Sequence, residues 1–309
     1  MIIRNYLFHR VLRGYDRLAA VNAVEIFEKA VKYISERYNV VNLESFYLNP
    51  VKKESEKPYA CITFDDGFKD NVGYAAPILK KYKCPASFYI VTDCIDNGTL
   101  PWPQYIDYLF ENTKKTYVNI DCDCVPSHLR NGKWKDNEAR RVYYKYYFRP
   151  ILRSLKTQDV NRLLFKLSEC FDDVKVPLDK MMNWDDIISL RKHGFTIGSH
   201  TKTHALLANE HDRAVIIKEL YGSGEVIKHR LGEWPLAISY PANSYNDTVV
   251  EEAANCGYKL GLVVGQRFYD PSKDDIFRIP RMDLYEDNWI KTKFRITGIL
   301  EAIKRFIKK

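Results

Sequence analysis

No stretch of the chain approaches about 18 consecutive uncharged apolar residues, which excludes a membrane-spanning helix of the usual length. The opening MIIRNYLFHR has neither a long apolar core nor a small-residue cleavage site, so no signal peptide is expected. Zinc-ribbon spacing is absent from the seven cysteines, at 61, 84, 94, 122, 124, 170 and 256, and an odd number cannot all pair within one chain. They are read as mostly reduced thiols, which favours the cytoplasm, at most peripheral to the inner face of the membrane. No nucleic-acid-binding motif is visible, and no nucleic-acid partner is expected.

What remains is the composition of an ordinary globular protein: 309 residues, 46% apolar and 28% charged, enough for a sizeable core. The 48 basic residues exceed the 40 acidic ones, for a net charge of +8. That balance is compatible with an anionic membrane surface or a phosphate-bearing glycan carrier, although the basic residues are spread throughout.

Two stretches carry chemistry. Cys61-Ile62-Thr63-Phe64-Asp65-Asp66-Gly67-Phe68 is an apolar run ending in two adjacent acids and a glycine. Adjacent side chains of a strand point to opposite faces, but Gly67 permits a turn that brings both carboxylates to one cleft. A cation would hold one ionised and leave the other to act as a base. Turns also favour Asp and Gly, so this stretch alone is equally a polar turn. The second stretch, Phe195-Thr196-Ile197-Gly198-Ser199-His200-Thr201-Lys202-Thr203-His204, tips the balance, because it too is strand-like and ends in two histidines four apart. Neutral imidazoles suit zinc and related divalent ions, and a carboxylate can complete a three-ligand set that leaves positions for water and substrate.

Thr63-Phe64-Asp65-Asp66-Gly67 and His200-Thr201-Lys202-Thr203-His204 resemble the first two motifs of the carbohydrate esterase family 4 polysaccharide deacetylases, the NodB-homology domain. Ser239-Tyr240-Pro241-Ala242-Asn243 resembles that family's Tyr-Pro segment. The resemblance extends from Phe8 to Asp283. It implies a deformed (β/α) barrel, a divalent metal, and hydrolysis of an N-acetyl or O-acetyl group from a glycan. By motif position it implies Asp65 as base and Asp66, His200 and His204 as metal ligands. Zn2+ is the first expectation, with Co2+, Ni2+ or Mn2+ as alternatives. Tyr240 is implied as an oxyanion donor through its backbone N–H, and Tyr240, Pro241 and Asn243 as substrate contacts. Some subgroups of the family begin with an aromatic-His-Arg segment whose histidine is the catalytic acid. Phe8-His9-Arg10 fits that pattern, and no Leu-x-His occurs near the C-terminus. The arginine usually found just before the Tyr-Pro segment is missing, since Leu236-Ala237-Ile238 stands there. Arg281 or Arg278 is then the candidate to orient Asp65, and Asp283 to support His9, unless all three are simply strand-end charges.

Along the chain, Val24, Phe27, Ala30, Val31, Ile34 and Tyr38 recur at helical spacing. A strand–helix–strand rhythm runs through 59–91 and resumes after 180, which argues for a parallel α/β arrangement. The expected organisation is a catalytic domain from 1–97 and 181–287, a mainly helical insertion at 98–180, and a basic amphipathic helix at 288–309. The aromatics of the insertion are expected to pack inward, the alternative being a platform that stacks on sugars. The terminal helix either lies on an anionic membrane or docks its apolar face on the domain.

The expected activity is removal of the N-acetyl group from an amino sugar, in a surface polysaccharide or in its lipid- or nucleotide-linked precursor. A cytoplasmic enzyme would meet the precursor. Three readings stay open beside it: a metal-free pseudoenzyme that binds glycans, a hydrolase of another C–N bond on the same fold, and a membrane-bound scaffold.

Overall fold

The computed structural model describes residues 3–14, 21–49, 55–285 and 288–299. The chain opens with β1 (Arg4–Phe8) and a short parallel pair, β2 (Arg10–Leu12) and β3 (Val21–Ala23). There follow α1 (Val24–Arg37), β4 (Asn39–Val40), α2 (Leu43–Leu48) and β5 (Tyr59–Phe64). A π turn at Asn71–Ala75 leads into α3 (Ala76–Lys81), then β6 (Ser87–Ile90) and α4 (Thr92–Asn97). The segment 98–180 holds α5 (Trp102–Asn112), α6 (Ser127–Arg130), α7 (Asn137–Val142) and α8 (Thr157–Cys170), with a hairpin of β7 (Tyr117–Asn119) and β8 (Asn131–Lys133). The rhythm resumes with α9 (Trp184–Lys192), β9 (Thr196–Ser199), α10 (Arg213–Leu231), β10 (Ala237–Ser239), α11 (Asp247–Asn255), β11 (Leu260–Val264), β12 (Ile279–Asp283) and α12 (Trp289–Thr297).

Seven parallel strands close a barrel in the order β1-β12-β11-β10-β9-β6-β5. Pairing of β5 with β1, from Arg4↔Ala60 to Phe8↔Phe64, seals the ring. The short β4 lies beside the start of β5, with Asn39 opposite Tyr59. This is the deformed (β/α) barrel the motifs imply. Its strands are buried on both faces, which is why β5 reads as the unbroken run Tyr-Ala-Cys-Ile-Thr-Phe.

The outer layer is an aromatic ladder. Phe64 stacks on Phe8 at 5.6 Å and on Phe88 at 4.7 Å, and Phe27 of α1 meets Phe8 edge-on at 4.9 Å. The inner layer is more polar. Tyr89 donates to Glu44 Oε1 at 2.7 Å and Ser87 to Glu44 Oε2 at 2.6 Å, deep inside the barrel, where burial pushes the Glu44 carboxyl up. Room for Tyr89 comes from Gly198, because a Cβ there would stand 2.3 Å from Tyr89 Cδ1.

The first strand breaks at His9, where the chain leaves the barrel and Arg10 finds a new partner in Val21. Pro77 lies in the first turn of α3, a position that needs no donor. Asn183 and Asp186 form a reciprocal capping box on α9.

Segment 98–180 builds its own core. Around Phe110 lie Tyr144 at 4.5 Å, Phe171 at 4.9 Å and Phe148 at 5.1 Å, so these aromatics pack inward, while Tyr146 and Tyr147 stay exposed. Its hairpin is an element the helical expectation lacked. Five cysteines are free, but Cys122 and Cys124 are joined, an exception to the expected thiols.

α12 docks on the barrel: Ile296 is buried, its carbonyl accepts from Tyr6 OH at 2.9 Å, and Trp289 meets Tyr33 of α1 at 5.7 Å. Residues 300–309, which carry the basic end of the expected amphipathic helix, lie outside the described residues. Among the described residues no helix is long and apolar enough to cross a membrane.

The contact of Gly198 with Tyr89 makes Gly198→Ala an overpacking substitution. Urea denaturation should show a loss of about 1–3 kcal/mol; unchanged stability would mean that Tyr89 moves freely.

Candidate active site

Because every barrel strand runs the same way, all the strand C-termini open on one face, where barrel enzymes place their chemistry. Asp65 and Asp66 follow β5, His200 follows β9, Ser239 ends β10, His9 follows β1, and Arg281 lies within β12.

Asp66 (φ 74°) and Gly67 (φ 86°) are both left-handed, a conformation uncommon for any residue but glycine. This sharp turn overrides strand alternation and lets both carboxylates serve one cleft. Gly67 is also closely packed, since a Cβ there would lie 3.2 Å from side-chain carbons of Ile90 and Ile95.

Asp66, His200 and His204 are buried together with ligand atoms within 4.8 Å of one another. Asp66 Oδ1 lies 3.3 Å from His200 Nε2 and 3.5 Å from His204 Nε2. His200 Nδ1 donates to the Ser239 carbonyl at 2.8 Å, which turns Nε2 toward Asp66. Burial works to raise the Asp66 carboxyl, but its polar contacts with the two imidazoles hold it well below the ordinary range. Burial depresses His204, so it stays a neutral donor. Two imidazole nitrogens and a carboxylate oxygen converging without a lysine or arginine among them fit a divalent cation.

Asp65 faces a different environment. Arg281, fully buried, grips it with two parallel bonds, Nη1 to Oδ1 at 2.8 Å and Nη2 to Oδ2 at 2.7 Å. Ser239 Oγ adds a third at 2.9 Å and itself accepts from Arg281 Nη2 at 2.7 Å. Burial would raise the Asp65 carboxyl, yet the guanidinium outweighs it and the group sits below the usual carboxylate range. Arg281 thus reaches Asp65 from β12, whereas Arg278 pairs with Asp275 and Asp247.

His9 is partly exposed, and its Nδ1 lies 3.6 Å from Asp283 Oδ1. Burial favours neutral imidazole, but Asp283 and, more weakly, Asp66 and Asp65 raise its pKa to about 9.

The Tyr-Pro segment departs from expectation. The Tyr240 N–H is bonded to the Leu262 carbonyl at 3.1 Å, so it has no free bond to offer an oxyanion. Its side chain is buried among Leu207, Val249 and Val263 and stacks on Tyr245. Pro241 is buried, and Asn243 uses its Oδ1 to accept from Val264 N at 2.8 Å. The physical reason is alternation: Ser239 points into the barrel, so Tyr240 points out of it.

Sequence reasoning missed several contributors. Besides Ser239, Gln104 Nε2 approaches Asp66 Oδ2 at 3.3 Å, and Trp102 Nε1 donates to the His204 carbonyl at 2.9 Å. Both come from α5, and no local pattern links them to either motif.

Comparison with known proteins agrees with this geometry. The polysaccharide deacetylase family matches residues 52–117 and 142–261, more than half of the chain. No curated protein matches the sequence. Among solved structures, the Streptococcus pyogenes deacetylase PplD in complex with acetate is similar with a TM-score of 0.63 at 15% identity, covering 97% of both chains. The de-N-acetylase of Aggregatibacter actinomycetemcomitans gives 0.62 at 15%, covering 96% of this chain and 100% of its own. IcaB from Ammonifex degensii gives 0.60 at 15%, covering 96% and 97%. At such identities these structures speak for the fold, and the family match across both motifs establishes that this chain belongs to the polysaccharide deacetylase family.

Proposed function

We propose that the chain is a metal-dependent N-deacetylase acting on an amino sugar of a surface polysaccharide or of its lipid- or nucleotide-linked precursor. The observation that carries this reading is the juxtaposition of a three-donor cluster, Asp66, His200 and His204, with a separately gripped carboxylate, Asp65. The de-N-acetylase among the structural neighbours supports the choice of an N-acetyl group. Zinc is the first candidate, from the two-nitrogen, one-oxygen donor set.

A divalent cation held by these residues would polarise the acetyl carbonyl and acidify water. Asp65, ionised and fixed by Arg281, accepts the proton of the attacking water. The water oxygen bonds to the acetyl carbon, the C–N bond breaks, and acetate and a free amine result. His9, protonated beside Asp283, supplies the proton the departing nitrogen needs. Arg281 and Ser239 bind no substrate in this scheme; they keep the base in one rotamer. In place of Tyr240's engaged N–H, the scheme assigns no backbone donor.

Asp65→Asn should leave metal content unchanged and lower acetate release from N-acetylhexosamine substrates by at least about a hundredfold. His204→Ala should lose metal as well as activity. Acetate release at wild-type rate by either variant would refute the assignments.

The pH profile gives an independent check. His9 must be protonated to act as the acid, so activity holds below its pKa and is lost as pH rises through it. A cation on Asp66 cancels part of the field that raises His9, so the basic limb should fall at or below about 9. Asp283→Asn removes a raising charge and should move that limb to lower pH, while His9→Gln should abolish it. A limb that stays put in both variants would exclude His9 as the acid.

A further inference from the structure

The loop between the two histidine ligands is short and strained. Thr201 (φ 66°) and His204 (φ 64°) are both left-handed, and neither is a glycine. Residues held in such conformations persist only where their surroundings over-determine them. Three segments surround this loop. The Lys202 carbonyl accepts from Asp93 N at 2.9 Å, and Trp102 binds the His204 carbonyl. The third is α10, which offers a buried carboxylate, Glu219, only 4% exposed.

Glu219 Oε2 accepts from Lys202 N at 3.1 Å and from Thr203 N at 2.9 Å, and its Oε1 accepts from Thr203 Oγ1 at 2.8 Å. One turn further along α10, Ser223 Oγ lies 2.8 Å from Ser199 Oγ, which accepts from Thr201 N at 3.2 Å. The loop's two central N–H groups point the same way and form a concavity for an anion, and Glu219 fills it from below. No lysine or arginine is paired with Glu219 in an ion pair among the described residues, so its contacts go to the loop rather than to a surface partner.

We infer that Glu219 is a positioning residue: it holds the His200–His204 loop in the shape that aims both imidazoles at Asp66, and so sets the affinity of the metal site. This rests on the metal-site reading above, and it adds a residue that neither motif contains. Oε2 alone takes both backbone N–H groups and Oε1 faces a hydroxyl that can accept as well as donate, so an amide could keep these contacts, whereas a side chain without the two oxygens leaves both buried N–H groups unpaired.

The test is Glu219→Ala in the full chain, with two readouts. Zinc affinity, measured by competition with a chelator, should weaken about 10–100-fold, as when partners of metal ligands are removed elsewhere. Amide hydrogen exchange in the metal-free protein should accelerate in the peptide spanning 200–205 and not in the barrel strands. Thr203→Val, which removes only the hydroxyl bond, should give a smaller loss in the same direction and stands in if Glu219→Ala fails to fold. Zinc affinity within about threefold of wild type together with unchanged exchange would overturn the inference, being well short of the loss expected. A wild-type protein that takes up no zinc would instead sink the metal-site reading, and the exchange data alone would then decide whether Glu219 orders the loop.

Discussion

The buried pair of Arg281 and Asp65 is the constraint around which the barrel interior is arranged. A guanidinium with no exposed surface is tenable only if a carboxylate and further acceptors meet it. Asp65 supplies two oxygens, and the Thr63 and Ser239 hydroxyls lie at 3.3 Å and 2.7 Å. The Tyr89 ring stands 5.7 Å from the guanidinium carbon, and Tyr89 is held in turn by Glu44 and by the absence of a side chain at Gly198. Removing one member of such a pair typically costs about 3–5 kcal/mol, because it strands the other charge. The pair therefore ties Asp65 to the integrity of the barrel, and it explains why a polar layer runs through an otherwise apolar interior.

Closure of the ring gives that pair its setting. β1 has β5 on one side and β12 on the other, so the ends of these three strands carry His9, the two aspartates and Asp283 to adjacent places. Asp65 N donates to the Phe8 carbonyl at 3.2 Å, so the last ladder bond between β1 and β5 adjoins both the Asp65 carboxylate and His9. Residues from the two ends of the chain meet at one rim because a parallel barrel leaves no free edge between its first and last strands.

Much of this was legible from local pattern. The Asp-Asp-Gly turn and the two histidines four apart are contained in short stretches, and the apolar strand runs and the α1 periodicity follow from burial on two faces or one. Arg281 was visible only as one of two candidates, since 216 residues separate it from Asp65 and strand order alone decides which arginine arrives. A local rule also bears on the Tyr-Pro segment. In β10, Ala237 and Ser239 face inward while Ile238 and Tyr240 face the layer under α10 and α11, so alternation selects the serine. Gln104, Trp102 and Glu219 carried no such signal, because each acts on a motif through tertiary proximity. The β7–β8 hairpin was hidden by the helical character of the segment around it.

The charges at the rim set the sign of the site. Asp65, Asp66 and Asp283 contribute three negative charges, Arg281 one positive, and a protonated His9 another, so the formal sum of these groups is −1. His200 and His204 add nothing while they act as neutral donors. A site of that sign attracts a cation and opposes an oxyanion; with a divalent cation the sum becomes +1, the sign that favours charge developing on a carbonyl oxygen. The same arithmetic accounts for the division of labour between two adjacent aspartates. In the proposed reading Asp66, facing the imidazoles, would hold the ion, while Asp65, facing Arg281 and neutralised by it, would take a proton from water without competing for that ion.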